Sequence, residues 1–364
     1  MADVDVSFLS AGHHLCDARL HRLASALVRS GLRVEVLGMG DVRGAPSGVD
    51  ARSFGTPSLA RRAAVAPVLP WRARGRVLLA FEPITAAAAV PVARVRRRPV
   101  AVDVYEDYLA VLHDRSWARG ASAGVARAVA RAAVAAARHA DLTTVADDQV
   151  PPFDARHRLV VRNLPDSSML PDPAPRNPDP RVVYIGDVRR TRGLFTMLAA
   201  LEAAPRFTLD VVGLVAAVDE PGLAAWLAQH PETAARVRFH GRRPPSEAWR
   251  VARGAWAGLA LLDDTPAFRE AMPSKVYEYV ACGLPVVATA LPRQQDFVTR
   301  ARCGAVVPLG APAAEATAAA LEGWVDDPTR YAECAARATA AGQQYRRDDN
   351  YGPFVDAVQA LLSR

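Results

Sequence analysis

Glu270-Ala-Met-Pro-Ser-Lys-Val-Tyr-Glu-Tyr-Val-Ala-Cys-Gly-Leu-Pro-Val-Val-Ala-Thr289 decides how the rest of this chain is read. The spacing predicts a loop, a short helix, a turn and a buried strand. Ser274 is expected to cap the helix by accepting from its first free amides. Gly283 suits the left-handed position after the last turn, and Pro285 blocks continuation. Val286, Val287 and Ala288 then make a short apolar strand. A helix that starts beside a loop at a sheet edge offers free amides and the positive end of its dipole, which suits a phosphate.

Composition singles out one residue of the stretch. Of 45 Lys and Arg residues in the chain, only Lys275 is lysine. An ammonium is a compact charge with three rotatable donors, whereas a guanidinium is a planar fork. A lysine kept here, in a chain that uses arginine everywhere else, points to a helix start too cramped for the fork. The plain alternative is that one residual lysine had to fall somewhere.

Working outward, strands alternate with helices. Val4–Leu9 runs into Ser10-Ala11-Gly12-His13-His14, a small-residue loop, and an amphipathic helix follows with Leu20, Leu23, Ala24 and Leu27 on one face. Further strands are expected at Arg33–Leu37, Val77–Phe81, Val100–Val104, Leu142–Ala146 and Leu159–Val161. Gly38, Gly40 and Gly44 follow a strand but open no helix, so a dinucleotide fingerprint is rejected. Pro165, Pro171, Pro173, Pro175, Pro178 and Pro180 then mark a boundary. After it the rhythm restarts with strands at Val182–Ile185, Phe207–Gly213, Val237–Phe239 and Gly258–Leu262, and a last helix covers Tyr351–Leu362. This is an α/β pattern of two domains, 1–163 and 181–345, with a linker at 164–180 and a closing helical segment at 346–364.

Charge is uneven. Residues 1–163 hold 23 arginines against 15 acids, a net of +8, while 164–364 hold 22 basic residues against 23 acids, a net of −1. An acidic acceptor or an anionic membrane face would suit the basic half, as would a general arginine bias. A long helix over Ser116–His139 carries Arg119, Arg127, Arg131 and Arg138, but has only Trp117 as a large aromatic anchor, which favours a solvated basic face. No aromatic-interleaved basic motif supports a nucleic-acid partner. Cys16, Cys282, Cys303 and Cys334 lie far apart, which argues against a zinc site and for reduced thiols in the cytoplasm. No secretory leader and no membrane-spanning run are expected.

Pro273-Ser274-Lys275-Val276-Tyr-Glu278-Tyr-Val-Ala-Cys-Gly-Leu-Pro-Val-Val-Ala resembles the nucleotide-sugar signature of family 4 glycosyltransferases. The resemblance implies a GT-B fold, two Rossmann-like domains facing a central cleft. In it Glu278 would hold the donor ribose hydroxyls, a suitable task for a carboxylate that accepts from both. Glu270, at the Glu-x7-Glu spacing, would touch the donor sugar, although the usual Gly-Phe-Gly after it is missing. His13-His14-Leu-Cys-Asp17-Ala-Arg19-Leu is similar to the family's opening loop, with Gly12 allowing close backbone approach and His13 facing the acceptor. Asp103-Val-Tyr105-Glu-Asp resembles the family's Asp-x-His-Glu segment with Tyr105 in place of histidine. Gly186-Asp187-Val-Arg189-Arg190-Thr-Arg192-Gly resembles the pyrophosphate loop, with Asp187 replacing the first cation. Arg192 would be the second cation, and Arg189 or Arg190 would substitute for the first. Gly241 and Arg242 stand in the loop expected beside the nucleobase.

The implied reaction is retaining transfer of a sugar from a nucleoside diphosphate, with UDP expected, to a hydroxyl of a glycan, lipid-linked or natural-product acceptor. No metal or other cofactor is expected, because basic side chains and helix amides would stabilise the leaving diphosphate. Two alternatives stay open: a GT-B epimerase, and a nucleotide-sugar-binding protein of weakened activity, motivated by Tyr105 and Asp187.

Overall fold

The computed structural model describes residues 4–114, 122–347 and 349–364. Within them, short apolar runs form two wholly parallel sheets. The first contains β1 (Val6–His14), β2 (Val34–Met39), β3 (Asp50–Ser53), β4 (Val77–Phe81), β5 (Val100–Val104), β6 (Leu142–Val145) and β7 (Arg158–Val160). The second contains β8 (Arg181–Ile185), β9 (Thr208–Val212), β10 (Val237–Gly241), β11 (Ala257–Ala260), β12 (Val286–Thr289) and β13 (Gly304–Val307). Helices cover both faces, so central strands such as β4, β5 and β12 are buried along their whole length.

Strand order is the same in kind in both sheets. The first runs β3-β2-β1-β4-β5-β6-β7 and the second β10-β9-β8-β11-β12-β13. Order reverses between β1 and β4, and again between β8 and β11. Neighbouring crossovers leave on opposite faces there, which opens a crevice at the carboxyl ends of those strands. The loops after β1 and β4, and after β8 and β11, are therefore the places to look for chemistry.

The chain divides into two compact units, Met1–Asn163 with Asp349–Arg364, and Leu164–Asp348. In the first, Phe354, Val358 and Leu361 of the Gly352–Leu362 helix pack with Phe8, Leu20, Leu23 and Leu27. In the second, the proline-dense stretch is packed rather than loose. Arg176 lies between the rings of Trp256 (3.8 Å) and Tyr331 (4.3 Å), and Arg346 donates to Pro171 O and Asp172.

Two strands escaped the sequence pattern. The edge strand β3 is polar and solvated (Asp-Ala-Arg-Ser), so it shows no apolar alternation. In β13 the decisive feature is Gly304, where an added Cβ would fall 1.9 Å from Val286 O; absence of a side chain lets the two backbones pair. The expected helix over 116–139 is described as Ser122–Arg138; its earlier part, with Trp117 and Arg119, lies outside the described residues.

Candidate active site

In the second unit the site is built around the Ser274–Ala281 helix, which follows β11. Tyr279 fixes it in place. Its ring lies flat against Gly258 of β11, where any Cβ would sit 2.3 Å from the ring carbon Cγ. Its hydroxyl donates towards Val183 O and Leu259 O (both 3.3 Å) and accepts from the Ile185 amide (3.1 Å). A buried phenol thus locks the helix to β8 and β11 at the strand-order reversal. Ser274 does not cap the helix as expected. Pro273 holds the cap position, no side-chain cap bond forms, and Ser274 lies in the first turn, its backbone already helical. Gly283 does take the left-handed conformation (φ +75°) after the last turn.

The lock sets Lys275 and Glu278, both buried, three residues apart on the helix. The Lys275 ammonium lies over the Tyr184 ring at 3.5 Å and has no hydrogen-bond partner among the described residues. Burial pushes its pKa well below the ordinary lysine value, the Arg192 charge adds to that, and Asp187 and Glu278 pull the other way. Gly186 leaves room for it, since a Cβ there would be 3.0 Å from Nζ. The loop after β8 supplies the rest. Tyr184 Oη donates to Asp187 O (2.6 Å) and fixes the turn. The Asp187 carboxylate stands 3.9 Å from both Arg189 and Arg242. Burial would raise its pKa, yet Arg192, Arg189, Arg242 and Lys275 together outweigh that and lower it. Arg192 stacks by Phe268 (5.3 Å) with its Nε unpartnered among the described residues. Arg190 points elsewhere: it stacks on Phe195 (4.3 Å), and its amide donates to Asp219.

The remaining predicted positions divide. Arg242 joins the Asp187 cluster, and Gly241 (φ +66°) lines a cavity of about 340 Å³ with Leu214, Val215, Leu223 and Phe239. Val276 is wholly buried in the core, so only its backbone faces the helix start. Glu270 is exposed at the end of the Pro266–Arg269 helix, where its carbonyl accepts from Arg293.

In the first unit the expected residues gather at the ends of β1, β4 and β5; residues 10–14, expected as a loop, are instead the irregular end of β1, where the register with β2 shifts between Leu9 and His14. The His13 ring meets Tyr105 at 4.9 Å and Phe81 at 5.2 Å, both edge-on. Burial holds the Tyr105 hydroxyl well above its ordinary pKa, so it acts as a neutral hydrogen-bonding group. Gly12 plays a different part from the one expected. Its missing side chain makes room for the Glu82 carboxyl, which an added Cβ would meet at 2.9 Å, rather than for a ligand.

Glu82 was not singled out from sequence. A carboxylate directly after the buried run Val77–Phe81 and before Pro83 is the signal that marks it, because it stands at the strand-order reversal. Asp17 caps its own helix, accepting from the Arg19 and Leu20 amides, while the Arg19 guanidinium makes a paired contact with buried Asp103 (both 2.7 Å) and donates to Val161 O and Asn163. His14 turns to Cys16 and the Gly40 turn.

Residues 169–341 match the family model described as glycosyl transferases group 1. Solved structures with the same fold include sucrose-phosphate synthase from Thermosynechococcus elongatus (16% identity, TM-score 0.69, covering 99% of this chain and 98% of that one). Anabaena HepE, solved in complex with UDP and glucose, is similar at 16% identity and TM-score 0.68, covering 99% and 98%. WaaG, a glycosyltransferase involved in lipopolysaccharide biosynthesis, is similar at 16% identity and TM-score 0.62, covering 98% and 99%. A comparison with curated proteins gave no match.

Proposed function

We propose that this chain, whose residues 169–341 match the glycosyl transferases group 1 model and whose two parallel sheets share the fold of the solved structures it resembles, is a glycosyltransferase that moves a sugar from a UDP-sugar to an acceptor hydroxyl with retained anomeric configuration. One observation carries the donor assignment. A buried ammonium without a hydrogen-bond partner, Lys275, stands at a helix start beside a glycine turn ringed by Arg189, Arg192 and Arg242. Such a cluster is chemically incomplete without an anion, and a diphosphate supplies the charge and the acceptor oxygens it lacks.

In this reading Lys275, Arg192 and the helix amides stabilise the charge that grows on the diphosphate as the glycosidic bond breaks. The apolar cavity beside Gly241 accepts the flat base, and Glu278 accepts from the ribose hydroxyls. The leaving phosphate takes the acceptor's proton, and no metal is required. The anionic leaving group is held by donors fixed before it forms, so little reorganisation is needed.

Asp187 favours one second reading. A carboxylate inside the cation cluster competes with phosphate, which suits a nucleotide-sugar-binding protein of low turnover. A thermal-shift screen of UDP-, GDP- and dTDP-sugars, followed by turnover with the stabilising donor, separates the two. Glu278→Ala should weaken nucleoside-diphosphate binding by about 1.5–3 kcal/mol if the carboxylate is the ribose anchor; unchanged affinity removes that role. Release of free sugar without an acceptor would favour the epimerase chemistry instead.

Among the described residues no helix is long and apolar enough to cross a membrane. Cys16, Cys282, Cys303 and Cys334 are buried and form no disulfide with one another, which suits the cytoplasmic location proposed for this chain. The exposed face of the Ser122–Arg138 helix carries Arg127, Arg131 and Arg138 with Val125, which suits salt-sensitive contact with an anionic lipid surface rather than insertion.

A further inference from the structure

We propose that Glu82 is a positioning residue for His13, holding the imidazole with its Nδ1 edge inward and leaving Nε2 to accept a hydrogen bond from a bound hydroxyl. The proposal rests on the reading of the β1 loop as the acceptor side of a glycosyl transfer.

Four independent features converge on this carboxylate. Its backbone sits at φ +88°, ψ 162°, a region that side-chain-bearing residues rarely occupy and glycine tolerates. A glutamate kept in a glycine's conformation needs a reason beyond the turn itself. Secondly, the carboxylate is buried and receives three donors: the Ala11 amide (2.8 Å), Ser10 Oγ (2.7 Å) and Thr85 Oγ1. Both hydroxyls also accept backbone amides, Ser10 Oγ from His13 and Thr85 Oγ1 from Ala11, so their own protons are directed to Glu82. The two hydroxyls and the Ala11 amide thus converge on the Glu82 carboxyl.

Thirdly, His13 Nδ1 is buried without a hydrogen-bond partner among the described residues and lies 3.8 Å from Glu82 Oε2. That distance is long for a hydrogen bond and short for charge, so the carboxylate favours a proton on Nδ1. Fourthly, Gly12 is bare where the carboxyl passes, and the Phe81 and Tyr105 rings hold the imidazole from two other sides. Burial raises the Glu82 pKa, against the pull of His13 and the hydroxyls. With Nδ1 protonated, Nε2 keeps its lone pair, and the partly exposed ring can orient a sugar hydroxyl.

A purely structural carboxylate, clipping the β1 loop to β4, would explain the first two features but is indifferent to His13. Two measurements separate the roles. Nitrogen-15 shifts of the histidine rings in the full wild-type protein report which nitrogen carries the proton; Nδ1–H at His13 is expected, and Nε2–H overturns the proposal. This readout needs neither substrate nor variant, so it stands even if no acceptor is ever found, and it fails independently of the glycosyltransferase reading. Turnover then tests the consequence. Glu82→Gln should lower kcat by at least about tenfold with nucleoside-diphosphate affinity nearly constant. In a His13→Gln background the same change should have little further effect. An undiminished loss in that background would make Glu82 a loop clip.

Discussion

Lys275 Nζ stands 3.5 Å from the centroid of the Tyr184 ring, and the ring face is what the buried ammonium has in place of a hydrogen-bond acceptor among the described residues. A desolvated cation–π contact offers about 2 kcal/mol. Taking an ion out of water costs several kcal/mol, so the ring offsets only part of it. Burial therefore dominates and the pKa lies well below the ordinary lysine value of 10.5.

Donor binding should accordingly take up a proton. A diphosphate beside Lys275 raises the pKa that burial had depressed. Between the depressed free value and the restored bound value, protons are gained on binding and affinity falls as pH rises. Calorimetry of UDP binding in buffers of different ionisation heat reads the uptake directly. Binding with no proton uptake across that window would mean that Lys275 does not meet the phosphates.

Lys275→Arg keeps the charge but not the shape. With so little room at Gly186 that an added Cβ would fall 3.0 Å from Nζ, and with the Tyr184 ring beneath, the longer planar head should not fit. Turnover is expected to fall by at least about tenfold, or about 1.4 kcal/mol of barrier. The melting temperature of the free protein should move little. A fully active variant would reduce the single lysine to coincidence, and a matching loss of folding would make the residue structural.

Asp187→Asn should strengthen nucleoside-diphosphate binding. The carboxylate faces Arg189 and Arg242 at 3.9 Å, although half its side-chain surface remains open. Its pKa is lowered, so it stays ionised at neutral pH and loses its charge only below the ordinary aspartate value of 3.8. Removing that charge frees the arginines for phosphate, and about tenfold tighter binding, near 1.4 kcal/mol, is expected. Weaker binding of UDP to the variant would show that Asp187 orders the cluster rather than competing for it.

Asp103→Ala tests the scaffold of the first unit. The Arg19 guanidinium is buried against Asp103, and Thr144 Oγ1 donates to the same carboxylate (2.6 Å). Removing one partner strands a buried charge, a loss of about 3–5 kcal/mol. Chemical denaturation should show that loss. A change below about 1 kcal/mol would mean that water or Asn163 compensates for Arg19.

Much of the architecture is legible in residue order. Apolar runs such as Val77–Phe81 and Val286–Ala288 can be satisfied only between two helical layers, so they announce parallel strands locally. The motif around Lys275 likewise advertises itself, since a lone lysine, a glycine after the helix and a following apolar strand are all neighbours in the chain. Polar edge strands such as Asp50–Ser53 leave no such mark, because hydrogen bonding to one neighbour places no demand on side-chain type.

By itself the sequence determined the α/β class, the two-part rhythm around the prolines, and the residue types able to meet a diphosphate. Only the tertiary structure decided which of them meet. Tyr279 reaching β8 and β11, Asp187 among arginines from two loops, and Glu82 behind His13 are pairings across 94, 55 and 69 positions of chain, differences taken from the residue numbers. Periodicity reports the face a residue occupies within its own element. It carries no information on which distant loop ends beside it, because that follows from the strand order, and the strand order is fixed by packing of the whole sheet.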